Sequence, residues 1–162
     1  MSYFLGQMTY LCGEKKIAMT RKAYKMVNED ISQNIVNEPS VGYLINTTRQ
    51  GIPFHTFTKM TESSPFSLDD WSSFLHLSER TMQRYKKEKK TFDPIHSDRI
   101  LEITMLYNRG SEVFGSADKF NTWLNAKSIA LGGVMPKEFL DSTFGIGLLN
   151  NELTRIEHGV LA

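Results

Sequence analysis

Apolar residues in this chain recur at steps of three and four, and the runs they form are opened by serines and closed by proline or glycine, which confines the fold to short helices. Ile17, Ala23 and Tyr24, Val27, Ile31 and Ile35 make the first stripe, and Pro39 must end that helix because a proline ring removes the backbone donor of the next turn. Ser40 can cap a second helix that carries Val41, Leu44 and Ile45 on one face and has Gly51 past its end. Pro53 then suits the first turn of a third, which stops before Pro65. Serines at 67, 78 and 97 open the next three, expected over residues 67–75, 78–89 and 97–114. After Gly115, residues 117–124 repeat the pattern, Ala130-Leu131-Gly132-Gly133 breaks it, and a short helix follows over 136–140. The last helix, about 146–158, aligns Ile146, Leu149, Leu153 and Ile156, with Gly159 as its left-handed stop. Alternating runs of the kind that make strands are scarce, so the expected fold class is all-α.

A length of 162 residues, 40% hydrophobic and 23% charged, suits one folded domain or a few small helical units and is too short for most multi-domain enzymes. No stretch approaches the ~18 apolar residues of a membrane span. The apolar run from residue 3 to 12 is interrupted by Gln7 and Thr9 with no basic residue before it, which argues against a secretory leader. Cys12 is the single cysteine, so neither an internal disulfide nor a cysteine metal cluster is available, and a cytoplasmic location without a membrane partner is expected. The formal charge of +1 hides an asymmetry. Lys and Arg outnumber Asp and Glu seven to four in residues 1–60, match them eight to eight in 61–110, and fall to four against six in 111–162. Inside the balanced middle, Arg84-Tyr85-Lys86-Lys87-Glu88-Lys89-Lys90 gathers five cations around one anion.

That basic strip lies at the end of the most informative segment, residues 68–85. A helix-turn-helix needs a small residue where its helices cross, apolar residues locking the crossing, a short turn, and a polar second helix free to enter the major groove. Ser72 is the small residue; Trp71, Leu75, Leu77, Met82 and Tyr85 are the lock; Ser78 starts the second helix. His76 stands at the turn position that favours glycine, and histidine tolerates positive φ better than bulkier residues do. Glu79, Arg80, Gln83, Arg84 and Lys87 face outward on the second helix. Arginine can bond guanine bidentately and glutamine adenine, while Lys86, Lys89 and Lys90 suit phosphates. A basic run can also be nothing more than a solvated helix end steadied by the helix dipole, and the lock residues beside it favour the helix-turn-helix. The candidate DNA-binding residues are Ser78, Glu79, Arg80, Gln83, Arg84, Lys86, Lys87 and Lys90.

Leu77-Ser78-Glu79-Arg80-Thr81-Met82-Gln83-Arg84, Ser97-Asp98-Arg99-Ile100-Leu101 and Glu112-Val113-Phe114-Gly115 resemble the antitoxins called Xre, MbcA or ParS. Trp123-Leu124, Ala130-Leu131-Gly132-Gly133, Pro136 to Ser142, Phe144-Gly145 and Arg155-Ile156-Glu157-His158-Gly159-Val160 extend the resemblance in order and spacing over residues 51–162. The resemblance implies a type II antitoxin whose helix-turn-helix represses its own operon by binding operator DNA. It also implies a C-terminal domain that inhibits a RES-domain toxin from the same operon, a NAD-consuming enzyme, by covering its active site, and it implies a homodimer. The implied division is an N-terminal helical extension over 1–50, a DNA-binding domain over 51–110 and a toxin-binding domain over 111–162. The toxin-binding residues it implies are Arg155, Glu157, His158, Gly159, Val160, Leu161 and Ala162. Two positions depart from the family pattern: His76 replaces the turn glycine, and Met135 replaces the Thr or Ser that caps the helix at Pro136, removing a bond worth about 1 kcal/mol.

The residues of the tail allow two arrangements. Val160-Leu161-Ala162 follows the Gly159 stop and can enter a pocket in a partner, or Val160 and Leu161 can fold back onto the chain's own core. No enzyme, metal or cofactor is expected. His55, His76, His96 and His158 include no i, i+4 pair, and Phe144-Gly145-Ile146-Gly147 lacks the third glycine and the preceding strand of a dinucleotide site, so these glycines are expected to shape the start of a helix. Asp69-Asp70 suits a helix first turn, and Trp71, Phe74 and Trp123 are expected core anchors. A plain transcriptional regulator, whose C-terminal part only dimerises or senses a ligand, is the competing function.

Overall fold

Ser40, Ser67, Ser78, Ser116 and Ser142 each turn a hydroxyl back to accept the backbone N–H three residues on, and each begins a helix. The computed structural model describes residues 40–159. The helix expected over 17–35, Cys12, and Val160, Leu161 and Ala162 lie outside the described residues. The elements are α1 (Val41–Gln50), α2 (Phe54–Thr61), α3 (Leu68–Phe74), α4 (Glu79–Glu88), α5 (Pro94–Val113), α6 (Ala117–Leu124), two 3-10 helices (Ile129–Leu131 and Pro136–Asp141), and α7 (Thr143–Glu157). Among the described residues the only β pairing is two isolated antiparallel bridges, Pro53 with Thr91 and Ser128 with Val134, so the fold is all-α.

Helix α5 is the axis. Ser97, Ile100, Leu101, Ile103, Thr104, Leu106, Tyr107 and Gly110 are buried around most of its circumference, and α1, α2, α6 and α7 all pack on it. Aromatic rings carry one core past it without a break. Phe92 meets Phe57 (centroids 5.1 Å), Phe57 meets Trp71 (5.2 Å), Trp71 meets Phe66 (6.0 Å), Phe66 meets Tyr107 (5.7 Å), and Tyr107 meets Phe120 (5.6 Å). Trp71 and Phe74 are buried as expected, and Trp123 packs half-buried on Phe114 and Phe120. Gly110 gives the Phe120 ring its place, because a Cβ there would overlap the ring.

Three sequence expectations are corrected. The axis helix begins at Pro94 and not at Ser97. Asp93 is the cap, accepting from the His96 N–H at 2.9 Å, and a proline in the first turn loses no hydrogen bond. Ser97 is fully buried one turn inside, where its hydroxyl accepts the Ile52 N–H at 2.9 Å and donates to the Phe92 carbonyl at 3.3 Å. The last helix starts at Thr143, a turn earlier than Ile146, because Ser142 caps it. Of the two glycines near that start, only Gly145 is required: its Cα lies against the Phe139 carbonyl oxygen, whereas Gly147 faces open space. The segment from Pro136 is 3-10. The Met135 side chain supplies no cap, and Glu138 instead accepts the Met135 N–H at 3.3 Å.

Ser97→Ala leaves the buried Ile52 N–H without its acceptor, so unfolding by urea should show a loss of about 1–3 kcal/mol. Ser116→Ala, at an exposed cap, should cost about 1 kcal/mol. Equal, small losses at both positions would show that Ser97 is not a structural tie.

Candidate functional site

The turn between α3 and α4 is held at both ends. The Leu77 N–H donates to the Ser72 carbonyl at 2.9 Å, and Met82, fully buried, seats α4 against Trp71 and Leu75 in the core. Ser72 is buried at the crossing, and its hydroxyl donates to the Asp69 carbonyl at 2.8 Å. His76 sits at φ 52°, in the left-handed region that its place in the turn demands, and its Nε2 lies 2.9 Å from the Asp141 carbonyl oxygen. A side chain in the glycine position thus makes a contact that glycine cannot, tying the turn to the 3-10 helix before α7. Asp70 adds a second tie. It closes a capping box with Ser67 and pairs with Lys137 at 2.7 Å.

Helix α4 ends at Lys89, also left-handed at φ 51°. The chain is then clamped by Phe54 N–H to Lys90 carbonyl and Phe92 N–H to Ile52 carbonyl, both 2.8 Å, while Tyr85 packs on Phe92. The basic strip therefore leaves a fixed helix on a fixed path. Ser78, Glu79, Arg80, Gln83, Arg84, Lys86, Lys87 and Lys90 are all exposed. Ser78 is engaged as the cap, bonded to the Thr81 N–H and hydroxyl, and Lys90 pairs with Glu88 at 3.0 Å. Among the described residues Arg80, Gln83, Arg84, Lys86 and Lys87 have no ion pair and no side-chain hydrogen bond within the chain, so their donors face water.

The second surface is α7. Gly145, Ile146, Leu149, Glu152 and Leu153 are buried against the core, and Arg109 of α5 grips the far end. Its guanidinium donates to the Asn150 carbonyl at 3.3 Å, to the Thr154 hydroxyl at 2.8 Å and to the Glu157 carboxylate at 3.2 Å. Glu157 is thereby held inside the chain's own network, Arg155 is exposed beside Glu152 at 3.5 Å, and His158 and Gly159 are exposed at the end, with Gly159 at φ 67°. On the opposite side Phe144, Leu148, Asn151 and Arg155 stand four, three and four residues apart, all exposed, as one stripe. Phe144 is 94% exposed and Leu148 44%, an apolar start to a face that ends in charge. Sequence reasoning missed this pair: with the helix expected to begin at Ile146, Phe144 fell outside it, although Leu148 already stood off the Ile146, Leu149, Leu153 stripe. Among the described residues no three of His, Cys, Asp and Glu are placed to hold a metal, and no helix is long and apolar enough to cross a membrane.

The Asp70 carboxyl is pushed up by partial burial, but the Lys137 hydrogen bond, the Ser67 N–H and hydroxyl, and the Lys137 charge together hold it below its ordinary value. A depressed carboxyl pKa stabilises the fold above the unfolded value near 3.8, and that contribution is lost as pH falls through the lower folded value. Asp70→Asn should therefore be less stable than the wild type at pH 7, with the gap closing as pH drops below about 4. A gap in thermal midpoint that stays constant from pH 7 to pH 3 would contradict the tie.

Two family models match the chain in adjoining stretches. The Antitoxin Xre-like helix-turn-helix domain covers residues 44–104, and the Antitoxin Xre/MbcA/ParS C-terminal toxin-binding domain covers 109–159. A curated relative, Antitoxin Xre of Photorhabdus laumondii, is 26% identical over 125 residues, which is 76% of this chain and 82% of the relative. The first match spans the turn at His76 and helix α4, the second spans α6 and α7, and the chain belongs to the Xre/MbcA/ParS antitoxin family.

Proposed function

We propose that this protein is the antitoxin of a type II toxin-antitoxin pair, inhibiting a RES-type, NAD-consuming toxin encoded in the same operon by covering its active site, and repressing that operon by binding its operator. The observation that carries it is the presence of two separate exposed faces, the unpartnered polar face of α4 and the apolar-to-charged stripe of α7, within stretches matched by a helix-turn-helix model and a toxin-binding model. The division of labour is residues 51–110 for DNA and 111–162 for toxin, with the protein acting as a cytoplasmic homodimer. A dimer sets two α4 helices toward successive major-groove half-sites, about 34 Å apart. In each, Arg80, Gln83 and Arg84 address base edges, while Lys86, Lys87 and Lys90 neutralise phosphates.

On the toxin side, Phe144 and Leu148 supply apolar surface at the centre of the contact, Arg155 and His158 bond polar groups at the rim of the cleft, and residues 159–162 enter the cavity that NAD would occupy. Arg109 orders the last turns of α7, so the tail leaves from a defined point. The test is co-expression. The operon partner expressed alone should deplete NAD and stop growth, and this protein should restore both and co-purify with it. A partner that is harmless, or that is not held at micromolar concentration, would favour a regulator without a toxin.

Two substitution sets separate the faces. Gln83→Ala or Arg84→Ala should reduce discrimination between operator and random DNA by about 1–3 kcal/mol, whereas Lys87→Ala should weaken both equally and lower the salt dependence of binding. Equal losses from all three would refute the assignment. Phe144→Ser should leave stability unchanged, since a side chain almost fully in water loses nothing on folding, yet weaken the toxin complex at least tenfold. Removal of residues 159–162 should impair inhibition without unfolding. Full protection by both variants would place the contact elsewhere.

A further inference from the structure

Outside the two faces already described, an open groove of about 290 Å³ lies between α1 and α5. Val41, Leu44 and Ile45 form one wall, Leu101 and Met105 the other, and Asp98 and Glu102 make one end acidic. Val41 is 72% exposed, Ile45 45% and Met105 42%, so the surface is apolar, contiguous and uncovered by residues 40–159. Arg49 stands at the acidic end, where the Thr48 hydroxyl donates to Asp98 at 3.4 Å. Burial and the neighbouring Asp98 push the Glu102 carboxyl above its ordinary value against the opposing pull of Arg99, which lies 3.7 Å away.

The chain supplies a matching segment. Residues 17–35 carry the stripe Tyr24, Val27, Ile31 and Ile35 at helical spacing, and residues 15–25 hold Lys15, Lys16, Arg21, Lys22 and Lys25 with no acid among them. Only Val36-Asn37-Glu38-Pro39-Ser40 separates this stripe from Val41, and connections that short join antiparallel neighbours. Helix α1 is ten residues long, about 15 Å. A helix running back beside it from Ile35 covers that length in about ten residues, which brings Lys25 level with the acidic end and Arg21 one turn beyond.

We propose that residues 17–35 fold back antiparallel to α1 and lay their apolar stripe in this groove, with Arg21 and Lys25 against Asp98 and Glu102. The N-terminal extension then completes the core on the outer side of α5, independently of the DNA and toxin faces.

The test uses the full chain with Cys12→Ser and paired cysteines. Ile31→Cys with Ile45→Cys places one thiol on the stripe opposite the groove; Asp30→Cys with Ile45→Cys places it on the other side of the same segment. Mild oxidation should give an internal disulfide at monomer mass for the first pair, at least tenfold faster than for the second, and Arg21→Glu with Lys25→Glu should slow it. A disulfide-linked dimer whose yield rises with protein concentration would overturn the proposal in favour of a second copy in the groove, and equal rates for the two pairs would overturn it outright. Hydrogen exchange gives an independent readout: Ile31→Asp should speed exchange of the α1 amides, and unchanged exchange would count against the contact.

Discussion

A twenty-residue helix with buried residues around most of its circumference cannot hold that shape in water alone, so the rest of the protein is organised by covering α5. Helices α1, α2 and α6 pack on it, and α7 runs along it from Thr143 beside Arg99 to Asn150 and Thr154 beside Arg109. The chain of rings from Phe92 to Phe120 passes across this helix through Tyr107, which makes the helix-turn-helix and C-terminal parts one packed interior. Smaller polar ties, His76 to Asp141, Asp70 to Lys137 and Arg99 to Thr143 at 3.1 Å, fix the angle at which these parts meet. Burial supplies most of the stability, and the polar ties supply the geometry.

That arrangement explains how a small protein presents two unlike surfaces. Helix α4 spends Met82 and Tyr85 on the core and leaves its cations in water, while α7 spends Ile146, Leu149 and Leu153 and leaves Phe144 and Leu148 out. The two faces share no residue. Arg109, reaching from α5 to the last turns of α7, ties the end of that helix to the axis. An arginine suits that task because its planar fork serves a carbonyl, a hydroxyl and a carboxylate together, which a lysine cannot match.

Much of the fold was legible because its signals are local. The serine caps at 40, 67 and 78 and the positive φ at His76 depend on a few consecutive residues, and these were found where they were expected. The start of α5 was misplaced because a buried serine and a capping serine look alike in sequence. Asp93 directly before Pro94, an acceptor followed by a first-turn proline, was the better signal. Ser97 answers to Ile52, 45 residues away, and no local pattern encodes that. The left-handed Lys89 was equally hidden, since lysine carries no mark of positive φ. Of the candidate sites, the α4 face followed from composition and spacing. The α7 stripe did not, because exposed apolar residues acquire meaning only once the buried face of the same helix is known.

The central claim is that two independent faces on one scaffold serve two partners. Native mass spectrometry of the protein mixed with the proposed toxin and the proposed operator DNA tests this most directly. The account predicts a single species containing protein, toxin and DNA together. Complexes that contain either toxin or DNA but never both would contradict it.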